Sequence, residues 1–504
     1  MKLSRRQLIK LGLASGAAIA LPAEAFAWGS SGSGGTTYGN GGTGVTAFSL
    51  PLALPSVLQP SSTDATTDYY TLTHTVAQQQ IIPGKLTTIW GYNGQYPGPT
   101  IKARVGRKVV INQINNLPES VSVHQHGGHT PPDSDGHPNA LIAPGQSRTY
   151  TYPNNQLPAT LWYHDHAADV TGRHVYMGLA GFYLLSDDIE DALPLPKGTN
   201  DVPLVFQDRI FNTDGSLSYT LDDRTIDEGF LGDTMLVNGV IQPYFQVPRR
   251  KVRFRLLNGS NSRIYNFTLS NGKAFTQIGS DGGLLSAPVS RTSLRLAPAE
   301  RADVIIDFTS VPVGTSVILQ NGDSSDTYSY RSGYTSEGGW NSGGAKVDIM
   351  RFDVSRDEAD ESSIPTTLRT VARIPTSQAT KSRTWTLAKG WSGGANKWSI
   401  NGKLYDPARV DATPALGSTE IWTFKNQSGQ THPMHIHDIQ FQIVDINGQA
   451  PAAYDAGWKD TVLVPQWGSA RVIMKFADLT GVYMIHCHKL EHEDHAMMTQ
   501  FKVV

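Results

Sequence analysis

The chain has 504 residues, a formal net charge of −2 and only 17% charged residues. It is long enough for two to four domains, and it lacks the basic excess of a nucleic-acid-binding or membrane-surface protein. Its one cysteine excludes an intramolecular disulfide and excludes zinc sites built from several cysteines. The 49 glycines and 29 prolines favour turns and short strands over long helices.

The N-terminal residues carry the features of an export signal. Arg5 and Arg6 stand in a twin-arginine pattern, and an apolar run leads to a small-x-small sequence that ends at Ala27. That run is too short and too rich in glycine and alanine to span a membrane well. We therefore predict a cleaved signal peptide over residues 1–27, a twin-arginine translocase as partner during export, a periplasmic or secreted location and no stable membrane anchor.

Residues 28–60 are rich in glycine, serine and proline, which predicts a flexible leader. One pattern then recurs three times. An Asn-Gly pair and a proline precede alternating apolar residues that end at an asparagine, and the pairs begin at Asn93, Asn238 and Asn401. Asn-Gly favours tight turns, and the alternation has the period of a strand.

Copies this far apart do not fit a solenoid, and they predict three homologous Greek-key β-sandwich domains in an all-β protein. The predicted domains cover residues 61–190, 191–365 and 366–504. A further stretch, residues 321–344, is rich in serine, glycine and tyrosine and predicts a long loop.

Fourteen of the 15 histidines fall in or near four clusters, and each cluster contains a His-x-His pair. Alternate residues of a strand project from the same face, so each pair should place two imidazoles side by side. Four such pairs could hold several metal ions, whereas histidines kept for folding or pH sensing are the weaker alternative. The pairs are His124 and His126, His164 and His166, His435 and His437, and His486 and His488.

The last pair encloses the only cysteine, Cys487, which should point to the opposite face of its strand. A thiolate, imidazoles and a thioether are ligands that favour copper. Cys487 with His432, His492 and Met497 would form a blue-copper set, in which the thioether is a weak axial ligand. One short peptide would then contact two metal sites, on its two faces.

The four histidine motifs together resemble those of the three-domain multicopper oxidases. Residues 160–166 and 486–494 are most similar to the branch of the bacterial spore-coat laccases and bilirubin oxidases. The resemblance implies cupredoxin-like domains and four copper ions. It assigns type 1 copper to His432, Cys487, His492 and Met497, type 2 copper to His124 and His435, and two type 3 coppers to His126, His164, His166, His437, His486 and His488.

The resemblance also implies the reaction. A small phenolic, aromatic-amine or tetrapyrrole donor would be oxidised one electron at a time, and O2 would be reduced to water with four electrons. His432 is the expected electron entry, with its imidazole edge reaching a surface pocket, and Cys487 the expected route to the cluster. Glu493 and Asp135 match family carboxylates that deliver protons; alternatively, Glu493 orients a ligand and Asp135 belongs to an Asp-Gly turn.

Three other functions compete with this interpretation. A metallo-oxidase of Fe(II) or Cu(I) is the main alternative, although the nine methionines do not form the methionine-rich insertion expected of a Cu(I) oxidase. A non-enzymatic scaffold on the same fold is disfavoured because every ligand is present. A two-domain nitrite reductase is disfavoured by the three repeats. We expect a monomer that binds no nucleic acid.

Overall fold

A computed structural model describes residues 41–322, 346–392 and 395–504, and all the structural statements below refer to these ranges. The strands, numbered in chain order, form six sheets in three pairs. In the first pair, one sheet contains β1 (Ser62–Thr63), β2 (Thr67–Gln79), β3 (Thr87–Tyr92), β5 (Lys108–Asn115) and β7 (Ser147–Tyr152). The other contains β4 (Gly98–Arg104), β6 (Val123–His126), β8 (Thr160–Asp165) and β9 (Ala180–Ser186).

The second pair is the largest. Its seven-stranded sheet contains β10 (Asp201–Arg209), β11 (Thr234–Val237), β12 (Val240–Ile241), β14 (Lys251–Asn258), β16 (Phe275–Ser280), β17 (Gly283–Arg291) and β19 (Arg301–Asp307). The facing sheet contains β13 (Tyr244–Pro248), β15 (Tyr265–Leu269), β18 (Leu294–Leu296), β20 (Ser316–Asn321) and β21 (Val347–Arg356).

The third pair contains the C-terminal motifs. One sheet consists of β22 (Lys381–Ser392), β23 (Ala395–Ile400), β24 (Thr419–Asn426), β26 (Gln442–Ile446) and β28 (Ser469–Lys475). The other consists of β25 (His432–Ile436), β27 (Thr461–Val464), β29 (Gly481–Cys487) and β30 (Met498–Val503). Each pair encloses its own buried apolar cluster. The predicted all-β class and the three β-sandwiches are confirmed, whereas the exact domain boundaries stay predictions.

The helices in the described ranges are short. They are α1 (Thr171–Met177), α2 (Asp188–Ala192), α3 (Asp223–Glu228) and α4 (Leu490–Asp494), with 3₁₀ turns at Gly198–Asn200, Thr376–Gln378 and Ala453–Asp455. None of these helices has the length and apolar character needed to cross a bilayer. α4 follows the Cys487 strand directly and returns the chain toward β30.

The repeated Asn-Gly pairs form the same turn in all three sandwiches. Asn93, Asn238 and Asn401 have φ values of 54°, 49° and 54°, and the glycine after each also has positive φ, as a type I′ turn requires. The side-chain oxygen of each asparagine accepts a backbone N–H from a neighbouring strand at 2.7–2.8 Å. The sequence repeat is therefore a repeat of hydrogen bonds.

The asparagine that ends each copy also has one repeated role. Asn115, Asn258 and Asn426 each donate from the side-chain amide to two backbone carbonyls. Each also accepts the N–H of the second residue after it. These bonds tie the loop after the strand to a second loop. In the first and third sandwiches, the loop after the strand leads to a histidine motif.

The flexible leader predicted over residues 28–60 does not hold from Val45 onward. Val45 is buried in an apolar cluster. Further along, the backbone N–H groups of Phe48, Leu52 and Leu58 donate to carbonyls of Gln242, Tyr244 and Thr100 at 2.7–2.9 Å. The segment runs along exposed strand edges. The carbonyls of these edges accept its N–H groups and so order a proline-rich sequence that would otherwise be flexible. Residues 1–27 and most of the loop predicted at 321–344 lie outside the described ranges.

Candidate metal centre

The Cys487 site is assembled by two adjacent antiparallel strands, β25 and β29. Their register places Met434 opposite Cys487 and His435 opposite His486. Since side chains alternate along a strand, His432 and Cys487 face one side of this sheet while His435 and His486 face the other. α4 then brings His492 back toward the cysteine. Sγ of Cys487 lies 3.5 Å from Nδ1 of His432 and 3.6 Å from Nδ1 of His492.

The outer nitrogens of these two imidazoles are both engaged. Nε2 of His492 donates to the carbonyl of Asp227 at 3.0 Å, and Nε2 of His432 lies 2.9 Å from Oγ of Ser428. The carbonyl fixes a tautomer of His492 with a lone pair on Nδ1, and this Nδ1 lies 3.2 Å from Nδ1 of His432. Burial raises the pKa of Cys487 to about 12, so its thiolate needs a cation beside it. This donor set fits a copper ion.

Met497 is buried in the same apolar cluster as Cys487. The N–H of Cys487 donates to the carbonyl of Met497 at 3.1 Å, and the N–H of Met497 donates to the carbonyl of His492 at 2.9 Å. These two bonds hold the methionine beside the cysteine and the second histidine. Its role as the axial ligand stays a prediction.

His432 does not reach a surface pocket, and this part of the sequence-based expectation is wrong. Its ring is fully buried, because Ser428 covers the Nε2 edge and Trp398 packs 4.9 Å away between ring centroids. On the other side, carbonyls of α3 accept hydrogen bonds from Trp398 Nε1 and from His492 Nε2.

The second site lies between the first and third sandwiches. Nε2 of His437 is 3.1 Å from Nε2 of His166 and 3.1 Å from Nε2 of His486. Their outer nitrogens contact carboxylates: Nδ1 of His437 lies 2.8 Å from Asp135, while Nδ1 of His166 and Nδ1 of His486 lie 3.1 and 2.9 Å from the two oxygens of Glu493. The hydrogen bond to Asp135 indicates that Nδ1 of His437 carries the proton, and the Nε2 atoms of all three imidazoles converge. Such a group is repulsive unless a cation lies within it.

His126, His164 and His488 form a third group whose ligand atoms lie within 4.8 Å of one another. Nε2 of His126 lies 2.9 Å from Oδ1 of Asp460, and Nδ1 of His164 donates to the carbonyl of Asp165 at 2.8 Å. Within the described ranges, Nδ1 of His126, Nε2 of His164 and both nitrogens of His488 have no hydrogen-bond partner although they are buried. Unpaired buried nitrogens that converge in this way are accounted for if they bind an ion.

His124 and His435 join the two groups of three histidines just described, and we call these eight residues the histidine cluster. Their Nε2 atoms lie 3.3 Å apart, and their Nδ1 atoms donate to the carbonyls of Asp135 and Asp460 at 2.6 and 2.8 Å. Burial lowers the pKa of most of the clustered imidazoles well below the ordinary value, which leaves them neutral and able to bind a metal. This holds for His124, His126, His164, His432, His435, His437, His488 and His492.

The two predicted proton carriers differ in their contacts. Both oxygens of Glu493 contact imidazoles, so it orients two histidines of one group. Asp135 contacts His437 with Oδ2, whereas its Oδ1 is buried without a hydrogen-bond partner in the described ranges. Burial raises the pKa of Asp135 well above its usual value. Each carboxylate therefore has one buried oxygen without a hydrogen-bond partner in the described ranges, Oδ1 of Asp135 and Oε2 of Glu493, and Glu493 in addition lies against two imidazoles.

Sequence reasoning missed Asp460 and Arg301. Asp460 precedes β27 and contacts His126 with its side chain and His435 with its carbonyl. Arg301, in the second sandwich, binds both oxygens of Asp460. An acidic residue before a strand gives no local signal, so only the packing of the domains identifies it. The remaining histidines lie outside the groups; they are His74, His129, His137, His174 and His495.

Comparisons with known proteins agree with this geometry. Three family models, each described as multicopper oxidase, match residues 75–189, 188–338 and 374–504. The laccase of Bacillus subtilis (strain 168) is 37% identical over 511 residues, which cover 89% of this chain and 96% of that protein. The bilirubin oxidase of Albifimbria verrucaria is 34% identical over 487 residues, which cover 90% of this chain and 81% of that protein.

Among solved structures, the laccase from Pediococcus acidilactici Pa5930 superposes with a TM-score of 0.81 at 34% identity. The match covers 90% of this chain and 93% of that one. The likeness therefore extends over all three sandwiches and includes the strands that carry the four histidine motifs.

Proposed function

The chain belongs to the multicopper oxidase family, and we therefore propose that it holds four copper ions. The members of this family are copper-dependent oxidoreductases that pass electrons from a reducing substrate to O2. His432, Cys487, His492 and Met497 would hold the type 1 ion. His124 and His435 would hold the type 2 ion. The two type 3 ions would be held by His126, His164 and His488 and by His166, His437 and His486.

One observation carries this proposal. Cys487 lies with His432 and His492, whereas its neighbours His486 and His488 belong to two different histidine groups on the other side of the strand. Bound copper supplies one-electron redox chemistry at the cysteine and four-electron reduction of O2 at the histidine cluster. The peptide from His486 to His488 is then the covalent link between the electron-accepting site and both type 3 groups.

The residues around the cluster have separable roles in this proposal. Glu493 would orient the rings of His166 and His486, since its two oxygens lie 3.1 and 2.9 Å from their Nδ1 atoms. Asp135 orients His437 and offers its unpaired Oδ1 as a place to hold a proton near the oxygen-reducing site. Complete burial of the eight cluster imidazoles keeps bulk water from competing for the ligand nitrogens.

We propose an aromatic reducing substrate, such as a phenol or an aromatic amine. The relatives named laccase and bilirubin oxidase support an organic donor over Fe(II) or Cu(I). Turnover of 2,6-dimethoxyphenol and of Fe(II) by the same preparation tests this choice. A clear preference for Fe(II) would favour the metallo-oxidase alternative.

Copper counting with visible and EPR spectra on the purified protein tests the core of the proposal. We expect four coppers per chain, an intense blue absorption and one type 2 EPR signal. A colourless protein that takes up no copper would overturn it, and a blue protein with a single copper would overturn the assignment of the cluster.

We also propose that residues 1–27 direct export through the twin-arginine pathway to the periplasm or beyond, and that the mature protein is a monomer. The support is the pattern around Arg5 and Arg6. Changing both arginines to lysine should retain the unprocessed protein in the cytoplasm, and sedimentation of the mature protein should give the mass of one chain. Export of the double-lysine variant at the normal level would contradict the first proposal.

A further inference from the structure

Trp467 is the most exposed large apolar side chain in the described part of the chain, with 72% of its surface accessible. It lies in the tight turn between β27 and β28, where the N–H of Gly468 donates to the carbonyl of Pro465 at 3.2 Å. Tryptophan is enriched at binding interfaces, where its large ring contributes contact area and its N–H can find a partner.

The backbone of Trp467 is also in an unfavourable conformation. Its φ is +53°, a region in which turns usually place glycine or asparagine. A bulky side chain there costs about 1–2 kcal/mol. The strained backbone therefore destabilises the fold, and the exposed side chain contributes little burial to offset this cost. Such a combination points to a role outside the stability of the fold.

The turn is attached to the loop that covers His432. The N–H of Trp467 donates to the carbonyl of Ser428 at 3.1 Å, and Oγ of the same Ser428 lies 2.9 Å from Nε2 of His432. The amide of Asn426 donates to the carbonyls of Gln430 and Pro465, on the loop and on the turn. The indole is thus held on a rigid support, two hydrogen bonds away from the buried imidazole.

Gly429 leaves the space beside the indole open. It is exposed, and a Cβ at this position would lie 3.8 Å from Nε1 and 4.0 Å from Cζ2 of Trp467. A side chain at position 429 would contact the edge of the indole and fill the space next to Ser428. With glycine at this position, the indole edge next to Ser428 is not covered by a side chain of residue 429.

We propose that Trp467 is the docking platform for the aromatic electron donor, which stacks on the indole beside Gly429. One electron would pass through Ser428 and His432 to the copper(II) ion that His432 would hold, and the oxidised phenol would release its proton to solvent. This inference rests on the proposed function and names the residue that selects aromatic donors. A planar π system gains about 0.5–1.5 kcal/mol from stacking beyond the area that it buries. Loss of the indole should therefore weaken donor binding about 2- to 13-fold.

The test is Trp467→Asn, since asparagine tolerates positive φ. We expect the KM for 2,6-dimethoxyphenol to rise about 2- to 13-fold with kcat retained, while kcat/KM for hexacyanoferrate(II), a donor without a π face, stays the same. The unfolding temperature should stay the same or rise. Leu86→Asn is the control, because Leu86 is also exposed (64%) but lies on the loop before β3; it should change neither KM.

An unchanged KM for the phenol, or an equal loss with both donors, would overturn the proposal. Binding is measured separately in a Cys487→Ser protein, which cannot turn over the donor. The indole N–H NMR signal that disappears in Trp467→Asn should shift on titration with 2,6-dimethoxyphenol, and absence of a shift would also overturn the proposal. If the wild-type protein oxidises neither donor, the proposed function fails. The shift of the indole N–H signal still decides whether Trp467 binds the phenol.

Discussion

Arg301 and Asp460 form a buried two-point ion pair, with Nη1–Oδ1 and Nη2–Oδ2 distances of 2.7 and 2.5 Å. The same Oδ1 lies 2.9 Å from Nε2 of His126. Arg301 also donates from Nε to the carbonyl of Thr160 in β8. This ion pair therefore joins all three sandwiches at the edge of the histidine cluster, and it fixes the orientation of the His126 ring.

We predict that Asp460→Asn lowers copper affinity of the His126 group by about 10- to 100-fold, as expected when the partner of a ligand histidine is lost. The blue absorption should remain, because the Cys487 group makes no contact with Asp460. Copper content and EPR measure the effect. Asp445→Asn is the matched control: Asp445 is buried, pairs with Arg471 in the same sandwich and lies outside the cluster. Equal copper loss in both variants would contradict the prediction.

Cys487→Ser should abolish the blue absorption and all donor oxidation while leaving three coppers per chain. A serine hydroxyl is a poor ligand for the type 1 ion, but it leaves the positions of His486 and His488 on the opposite strand face unchanged. The buried hydroxyl should cost about 1–3 kcal/mol of stability. Spectroscopy with copper counting checks the result, and a retained blue band would exclude Cys487 as the type 1 ligand.

The two carboxylates at the cluster should give different phenotypes. Asp135→Asn and Glu493→Gln should each slow the recovery of blue absorption after O2 is admitted to the reduced protein, by about 10²- to 10⁴-fold if proton delivery limits the step. Glu493→Gln should in addition lower copper retention, since a glutamine cannot accept from both His166 and His486. Stopped-flow measurement decides: recovery at the wild-type rate in both variants would refute the proton role.

Gly136→Ala should disturb the loop that places Asp135. Gly136 has φ +81°, and a Cβ there would lie 2.1 Å from the carbonyl oxygen of Val123 and 2.7 Å from Cα of His124. Gly145→Ala is the control, with φ +75° and no atom within 4 Å of the new Cβ. The control should cost about 1–2 kcal/mol for the left-handed backbone alone. Gly136→Ala should cost more and should also reduce copper content; equal unfolding temperatures for the two variants would argue against this clash.

His129 gives a pH dependence of stability. Burial alone would lower the pKa of His129, but the contacts with Asp438 and Asp478 outweigh burial and raise this pKa to about 9. Because the folded pKa exceeds the unfolded value of about 6.5, the stabilisation is fully present below pH ~6.5 and is lost as the pH rises through ~9. Its size is about 1–3 kcal/mol after allowance for solvent screening.

The difference in unfolding temperature between wild type and His129→Gln should therefore shrink as the pH rises from 6.5 to 9. His137→Gln serves as the comparison, because His137 contacts Gln500 instead of a carboxylate and burial lowers its pKa. A pH-independent difference for His129→Gln would show that the two carboxylates do not hold its proton.

Sequence patterns predicted the fold class because the signals involved are local. The Asn-Gly turns and the alternating strands follow from φ preferences and the period of two, which a chain carries within a few residues. The leader differs from its prediction for the converse reason. Val45 and the residues after it are ordered by strand edges of the first and second sandwiches, and proline-rich composition contains no information about a distant edge.

The local sequence was enough to predict the types of candidate ligand and the strand face on which each lies, because a cysteine between two histidines in a strand points away from both. Which histidines share a group depends on how the domains pack. His164 and His166 are two residues apart yet join different groups, as do His486 and His488. The reason is that each group forms where strands of the first and third sandwiches meet, and their relative position depends on buried contacts between domains, such as Arg301 with Asp460.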